Sequence, residues 1–120
     1  MRIRINLREA SSGFTLKEII ERGLHFFESE LDEEGLRRLR RKAEGMGRHF
    51  FPKELSLEDC QRFLGSERVR GFSCPCEALG YVIVYWAFQW MTGEWEPTVY
   101  NFWADWPDMV KEALENFRGE

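Results

Sequence analysis

Between Glu77 and Glu94 the chain carries no charged side chain, and the run Cys76–Gly93, CEALGYVIVYWAFQWMTG, is almost wholly apolar. A segment of this kind has to be surrounded by other elements, because a helix apolar on nearly all sides has no face to give to water. It is shorter than the roughly 20 apolar residues of a membrane span and contains Gly80 and Gln89, so it reads as a core element of a water-exposed domain. Ser73 or Cys74 can cap it, Pro75 falls near the first helical position, Glu77 lies in the first turn, and Gly93 supplies a closing left-handed residue. At 3.6 residues per turn its positions fall into three strips. One is Leu79, Ile83, Trp86 and Trp90, a second is Tyr81, Tyr85 and Phe88, and a third is small, with Cys76, Gly80 and Ala87, where a neighbour can come close. Tyr-Val-Ile-Val-Tyr-Trp is also strand composition, so a hairpin turning at Thr92-Gly93 into Trp95–Trp103 is the rival reading of Tyr81–Trp90.

The rest of the chain supplies the surrounding elements. Residues 1–120 fit one domain, long enough to hide about two-thirds of its unfolded surface. Arg2–Leu7 alternates, with Ile3, Ile5 and Leu7 on one face, and reads as one half-buried N-terminal strand that needs a partner. That partner is Val69–Phe72, part of Tyr81–Trp103, or the edge of a second copy in a homodimer. Thr15 and Glu18 make a capping box, with Phe14 and Ile19 as its staple, before a helix striped by Leu16, Ile20, Leu24 and Phe27 and ending near Glu28 to Leu31. A second helix runs from about Glu33 to Glu44, with Gly45 and Gly47 ending it, and a third from about Leu57 to Leu64, capped by Ser56 and closed by Gly65. The last helix starts at Asp105 as N-cap, with Pro107 and Asp108 in its first turn and Trp106, Val110, Ala113, Leu114 and Phe117 as its stripe. The expected architecture is mainly α, or α+β if the strand pairs within the chain. It is a single compact domain of about five helices around the buried aromatic one.

Charge is unevenly placed. Arg37–Lys53 holds seven Lys or Arg against one acid, whereas Glu94–Glu120 holds seven acids against two bases. The basic helix, with Arg37, Arg38, Arg40, Arg41, Lys42 and Arg48, suits a phosphate backbone. The net charge of −4 weighs against strong nonspecific nucleic-acid binding. Three cysteines, an odd number, and a start at Met1-Arg2 without a secretory apolar stretch point to a cytoplasmic protein with no disulfide framework. Cys74 and Cys76 flank Pro75 at a helix start, where a thiol is activated, so a thiol enzyme or metal site there is a further reading. His25 and His49 stand alone, and no phosphate loop, nucleophile elbow or zinc-protease motif occurs.

Ten of the eighteen aromatic residues lie between Tyr81 and Trp106. A chain of this size cannot readily hide all five Trp together with Phe50 and Phe51. Trp95, Tyr100 and Trp103, rimmed by Glu96, Asp105 and Asp108, therefore read as a partner-facing surface, because Trp and Tyr bury large area with few torsions. The leading expectation is a non-enzymatic interaction domain, a small regulator, inhibitor or adaptor that needs no cofactor and binds a protein through this acidic–aromatic C-terminal surface. Nucleic-acid binding through Arg37–Lys53 is the alternative.

Overall fold

The computed structural model describes residues 13–117. The expected strand Arg2–Leu7, and with it the pairing of that strand in a homodimer, lies outside the described residues. Within them the chain is mainly α: β1 (Phe14–Thr15), α1 (Leu16–Leu24) with a 3-10 turn at His25–Phe27, α2 (Glu33–Phe50), β2 (Glu54–Leu55), α3 (Leu57–Leu64), α4 (Pro75–Met91) and α5 (Phe102–Glu115). The two short strands pair antiparallel, Phe14 opposite Leu55 and Thr15 opposite Glu54, and tie the start of α1 to the start of α3.

The uncharged run is a helix, α4, and it occupies the centre, touching α1, α2, α3 and α5. Cys76, Ala78 to Val84, Trp86 and Ala87 are all buried, whereas the C-terminal turn from Phe88 to Met91 is half-exposed. Pro75 takes the first helical position and Gly93 the closing left-handed one (φ 82°). Cys74 is the cap but gives no side-chain bond. The Glu77 carboxylate instead accepts the Ser73 N–H at 2.6 Å. The strip of small residues does what its composition allows. Gly80 of α4 meets Gly23 of α1 so closely that a Cβ on Gly80 would lie 2.2 Å from the Ile19 carbonyl oxygen, and one on Gly23 would lie 2.1 Å from the Gly80 oxygen.

The other helices form for local reasons. Thr15 Oγ1 accepts the Glu18 N–H at 3.2 Å while Glu18 Oε1 accepts the Thr15 N–H at 3.0 Å, and Ser56 and Asp59 repeat this reciprocal pair at α3. Leu16, Ile20, Leu24 and Phe27 are buried as one stripe. Two boundaries differ from expectation. Gly45 and Gly47 do not end α2, which runs on to Phe50. Met46 and Phe50 continue its inward face, and Gly47 packs against Leu16 of α1. Packing outweighs the cost of two helical glycines, about 1 kcal/mol each.

The last helix begins one turn before Asp105. Thr98 and Asn101 exchange hydrogen bonds (2.8 and 3.0 Å) that set up the turn, and fully buried Phe102 starts α5. Asp105 lies in the first turn and is not the cap, and Pro107 sits inside the helix and deprives the Trp103 carbonyl of its helical donor. Trp86 Nε1–H donates to the Met109 carbonyl at 2.7 Å, and Trp106 Nε1–H to the Phe63 carbonyl, so α5 is pinned to both α4 and α3. Val69–Phe72 is loop, and the hairpin reading of Tyr81–Trp103 is replaced by helix, turn and helix.

Candidate functional site

The segment joining α4 to α5 folds back on the end of α4. The N–H groups of Glu94 and Trp95 donate to the Gln89 carbonyl at 2.8 and 3.3 Å. This turns the Trp95 ring inward, edge-on to Trp86 with centroids 5.0 Å apart and near Phe102 at 6.3 Å. Trp95 is therefore half-buried packing, and its Nε1–H is buried with no hydrogen-bond partner among the described residues. The chain then runs outward. Val99 is 73% exposed and Tyr100 is 91% exposed, while Trp103, one turn later, is 46% exposed. These three are the exposed large apolar side chains among the described residues, and they fall within five positions. Val99 carried no signal of its own, because nothing in a lone β-branched residue after Pro97-Thr98 says that it will lack a cover.

The six residues expected to face a partner are thus divided. Tyr100 stands at a groove of about 500 Å³ whose walls include His49 and Phe50 of α2, Trp90 of α4, and Pro97 and Val99 of the loop. Trp103 does not line that groove. It stacks on Phe63 of α3 at 5.8 Å and meets Phe51 edge-on at 5.8 Å. Glu96, Asp105 and Asp108 are exposed on the same loop and helix, and Trp95 points into the core. Beneath the loop, Phe102 stacks on Phe50 at 3.9 Å, so the loop rests on the end of the basic helix.

The basic helix divides as well. Arg40 donates two hydrogen bonds to Glu21 of α1, at 2.7 and 3.0 Å. The guanidinium holds the Glu21 carboxyl below its ordinary range, chiefly through these bonds, and the Arg40 pKa rises in turn. Arg37 pairs with Glu34 one turn earlier. Arg48 lines a separate hollow with Lys17, Ile20 and Lys53. Arg38, Arg41 and Lys42 line a hollow with Trp90 and Met91, next to the groove that holds Tyr100, since Trp90 belongs to both. Lys42 Nζ lies 3.9 Å from the Trp90 ring centroid, a cation–π contact. Two constellations some fifty residues apart in sequence therefore meet at Trp90.

The cysteines depart from expectation. Cys74 and Cys76 are joined in a disulfide, with Cα atoms 5.4 Å apart, within the ordinary span of such a bond. The turn into α4 brings them together across Pro75. It is a single local bond and not a framework, but it leaves neither sulfur as a free thiol. Cys60, the one free cysteine, is buried, and loss of hydration pushes its thiol up to about 11. Among the described residues no three His, Cys, Asp or Glu side chains converge, so Cys60 and the histidines do not join Cys74 and Cys76 in a ligand set. His25 lies 3.4 Å from Glu28 on the surface, and His49 lies edge-on to Phe50. Among the described residues no helix is long and apolar enough to cross a membrane.

Comparison with models of known protein families, with curated proteins and with solved structures found no match for this chain.

Proposed function

We propose that this domain is a non-enzymatic interaction module, a regulator, inhibitor or adaptor, that captures a protein partner on the loop between α4 and α5. The observation that carries the reading is the grouping of Val99, Tyr100 and Trp103. They are exposed, large and apolar, and they sit on the end of the loop and the first turn of α5, fastened by hydrogen bonds and aromatic packing. A rigid aromatic projection of this sort loses little entropy on binding. Exposed carboxylates at Glu96, Asp105 and Asp108 would give the contact a polar rim that favours a basic partner surface. Tagged protein should pull one dominant protein from native lysate, with or without nuclease. Tyr100→Glu should abolish that capture while leaving the unfolding midpoint unchanged, because the side chain makes so few contacts. Equal capture by wild type and Y100E would refute the reading.

A second reading, nucleic-acid binding, rests on Arg38, Arg41 and Lys42 lying beside the half-exposed Trp90 ring, a pairing of cations and a stacking surface. Arg38→Glu with Arg41→Glu is its test, since Arg37 and Arg40 are already engaged with carboxylates. Salt-sensitive binding of single-stranded RNA or DNA that this double variant removes would put it first. A cytoplasmic place of action is part of the leading proposal. There the Cys74–Cys76 bond faces a reducing thiol pool. Alkylation in denaturant at the moment of lysis, followed by a count of labelled cysteines, tests it, with three labels expected in a reducing compartment and one in an oxidising one.

A further inference from the structure

On the side of α4 away from the basic helix, a cavity of about 420 Å³ opens between the 3-10 turn after α1, the middle of α4 and the chain just beyond α5. Six aromatic rings wall it: Phe26, Phe27, Tyr81, Tyr85, Phe88 and Phe117. They are linked ring to ring, with Tyr81 touching Phe26, Phe27, Tyr85 and Phe117 at centroid distances of 5.0 to 6.0 Å, and Phe27 reaching Phe88 at 5.8 Å. The mutual packing fixes the rings, so the wall is preformed.

Among the described residues the charge lining this cavity is of one sign. The exposed Glu30 carboxylate stands at it, as do the Gln89 and Asn116 amides, and no Lys or Arg among the described residues lines it. Behind the wall, Tyr85 Oη accepts from Asn116 Nδ2 at 2.9 Å and donates to the Glu112 carboxylate at 3.4 Å, which adds a second negative charge. The Tyr81 residue is only 7% exposed, yet its hydroxyl has no hydrogen-bond partner among the described residues. Burial pushes its pKa up to about 12, with Tyr85 and Glu30 acting in the same direction. The hydroxyl therefore bonds to solvent at the cavity surface and leaves an acceptor and a donor free there.

We propose that this cavity binds an alkylated ammonium group, held by cation–π attraction to the ring faces and by the Glu30 carboxylate at the mouth. A trimethylammonium head has no N–H to satisfy and spreads its charge over methyl surfaces, so aromatic faces replace its weak hydration at little loss. A primary ammonium would need several acceptors at once, and an anion would meet the Glu30 carboxylate and, among the described residues, no cation lining the cavity. The same head occurs on free choline-like metabolites and on methylated lysine side chains, and the cavity recognises what the two share.

Isothermal titration of the full chain with choline is the direct test, set against 3,3-dimethylbutan-1-ol, the neutral carbon analogue of the same shape. Saturable choline binding is expected, at least about tenfold tighter than that of the neutral analogue. Tenfold corresponds to about 1.4 kcal/mol, which a few cation–π contacts supply. Glu30→Gln should weaken choline about tenfold with no change in unfolding midpoint, because Glu30 is exposed. Phe88→Leu keeps apolar bulk but removes a ring face, and should weaken choline while sparing the neutral analogue. Trimethyllysine run in parallel separates the two sources, with the tighter of the two cations naming the one that fits. Absence of saturable binding by both cations, equal binding of choline and the neutral analogue, or full choline affinity in E30Q would each overturn the proposal.

Discussion

Replacing Gly80 by alanine is the sharpest test of how this fold is held together. The added methyl carbon would lie 2.2 Å from the Ile19 carbonyl oxygen, 3.1 Å from the Gly23 nitrogen and 3.2 Å from the Ile19 carbonyl carbon. Ordinary contact begins about 1 Å further out than the first of these. The obstacle is helix backbone, which cannot swing aside as a side chain can, so α1 must move off α4 as a body. Overpacking of this kind costs about 1–3 kcal/mol, and a backbone clash belongs at the upper end. Against it stands the better helix propensity of alanine, about 1 kcal/mol. The net expectation is a loss of about 2 kcal/mol or more, seen as a fall of roughly 1 M in the urea midpoint at a slope of about 2 kcal/mol/M.

Gly45→Ala is the matched control. Its Cβ would meet nothing within 4 Å, so propensity acts alone and the midpoint should rise by about 0.5–1 kcal/mol in equivalent stability. Gly23→Ala attacks the same contact from the other side, at 2.1 Å from the Gly80 oxygen. Once the helices have parted, the second methyl costs less, so G23A with G80A should lose clearly less than the sum of the two. A G80A protein as stable as wild type, or additive losses in the double variant, would refute the close crossing of α1 and α4.

Other outcomes follow from single contacts. Trp86→Phe removes a buried 2.7 Å hydrogen bond to the Met109 carbonyl together with part of a core ring, and should cost about 2 kcal/mol in the same urea assay. Stability should fall in alkali. Below about pH 9 the Cys60 thiol is protonated both folded and unfolded. Between its ordinary 9.0 and its folded value of about 11, only the unfolded chain releases the proton, at a cost approaching 1.4 kcal/mol per pH unit. Cys60→Ala should flatten that slope, and an unchanged slope would contradict it. In denaturant without reductant the purified protein should titrate one thiol per chain, rising to three after reduction, and three before reduction would contradict the Cys74–Cys76 bond.

Much of this architecture could be read from local chemistry. The capping box at Thr15, the N-cap at Ser56 and the Pro75-to-Gly93 frame of α4 are short-range signals, and the structure reproduces them. The meeting of Gly23 with Gly80 was half legible, because the small strip on α4 announced a close neighbour without saying which. What local signals mislabelled was decided by distant packing. Gly45 and Gly47 look like a helix end until Met46 and Phe50 find a core to enter, and Asp105 looks like a cap until Phe102 is seen to be buried. The candidate surfaces show the same limit. Tyr100 was legible as an aromatic in a turn, but its nearness to Trp90 and His49 depends on how the loop folds back. The aromatic cavity combines rings from three different helical stripes with Phe26, which belonged to none of them, and no spacing along the chain marks a gap left between them.

The central position of α4 also has a bearing on the chain's birth. The three helices that pack on it from earlier in the sequence, α1, α2 and α3, leave the ribosome before it does, and Leu24 precedes Met91 by 67 residues. At about 5–20 residues per second, the apolar stripe of α1 is then without its main support for roughly 3–13 s. The chain's exposure to aggregation or to chaperones therefore falls during synthesis, and it lessens in two steps, when the uncharged helix packs on α1 to α3 and when α5 closes over it.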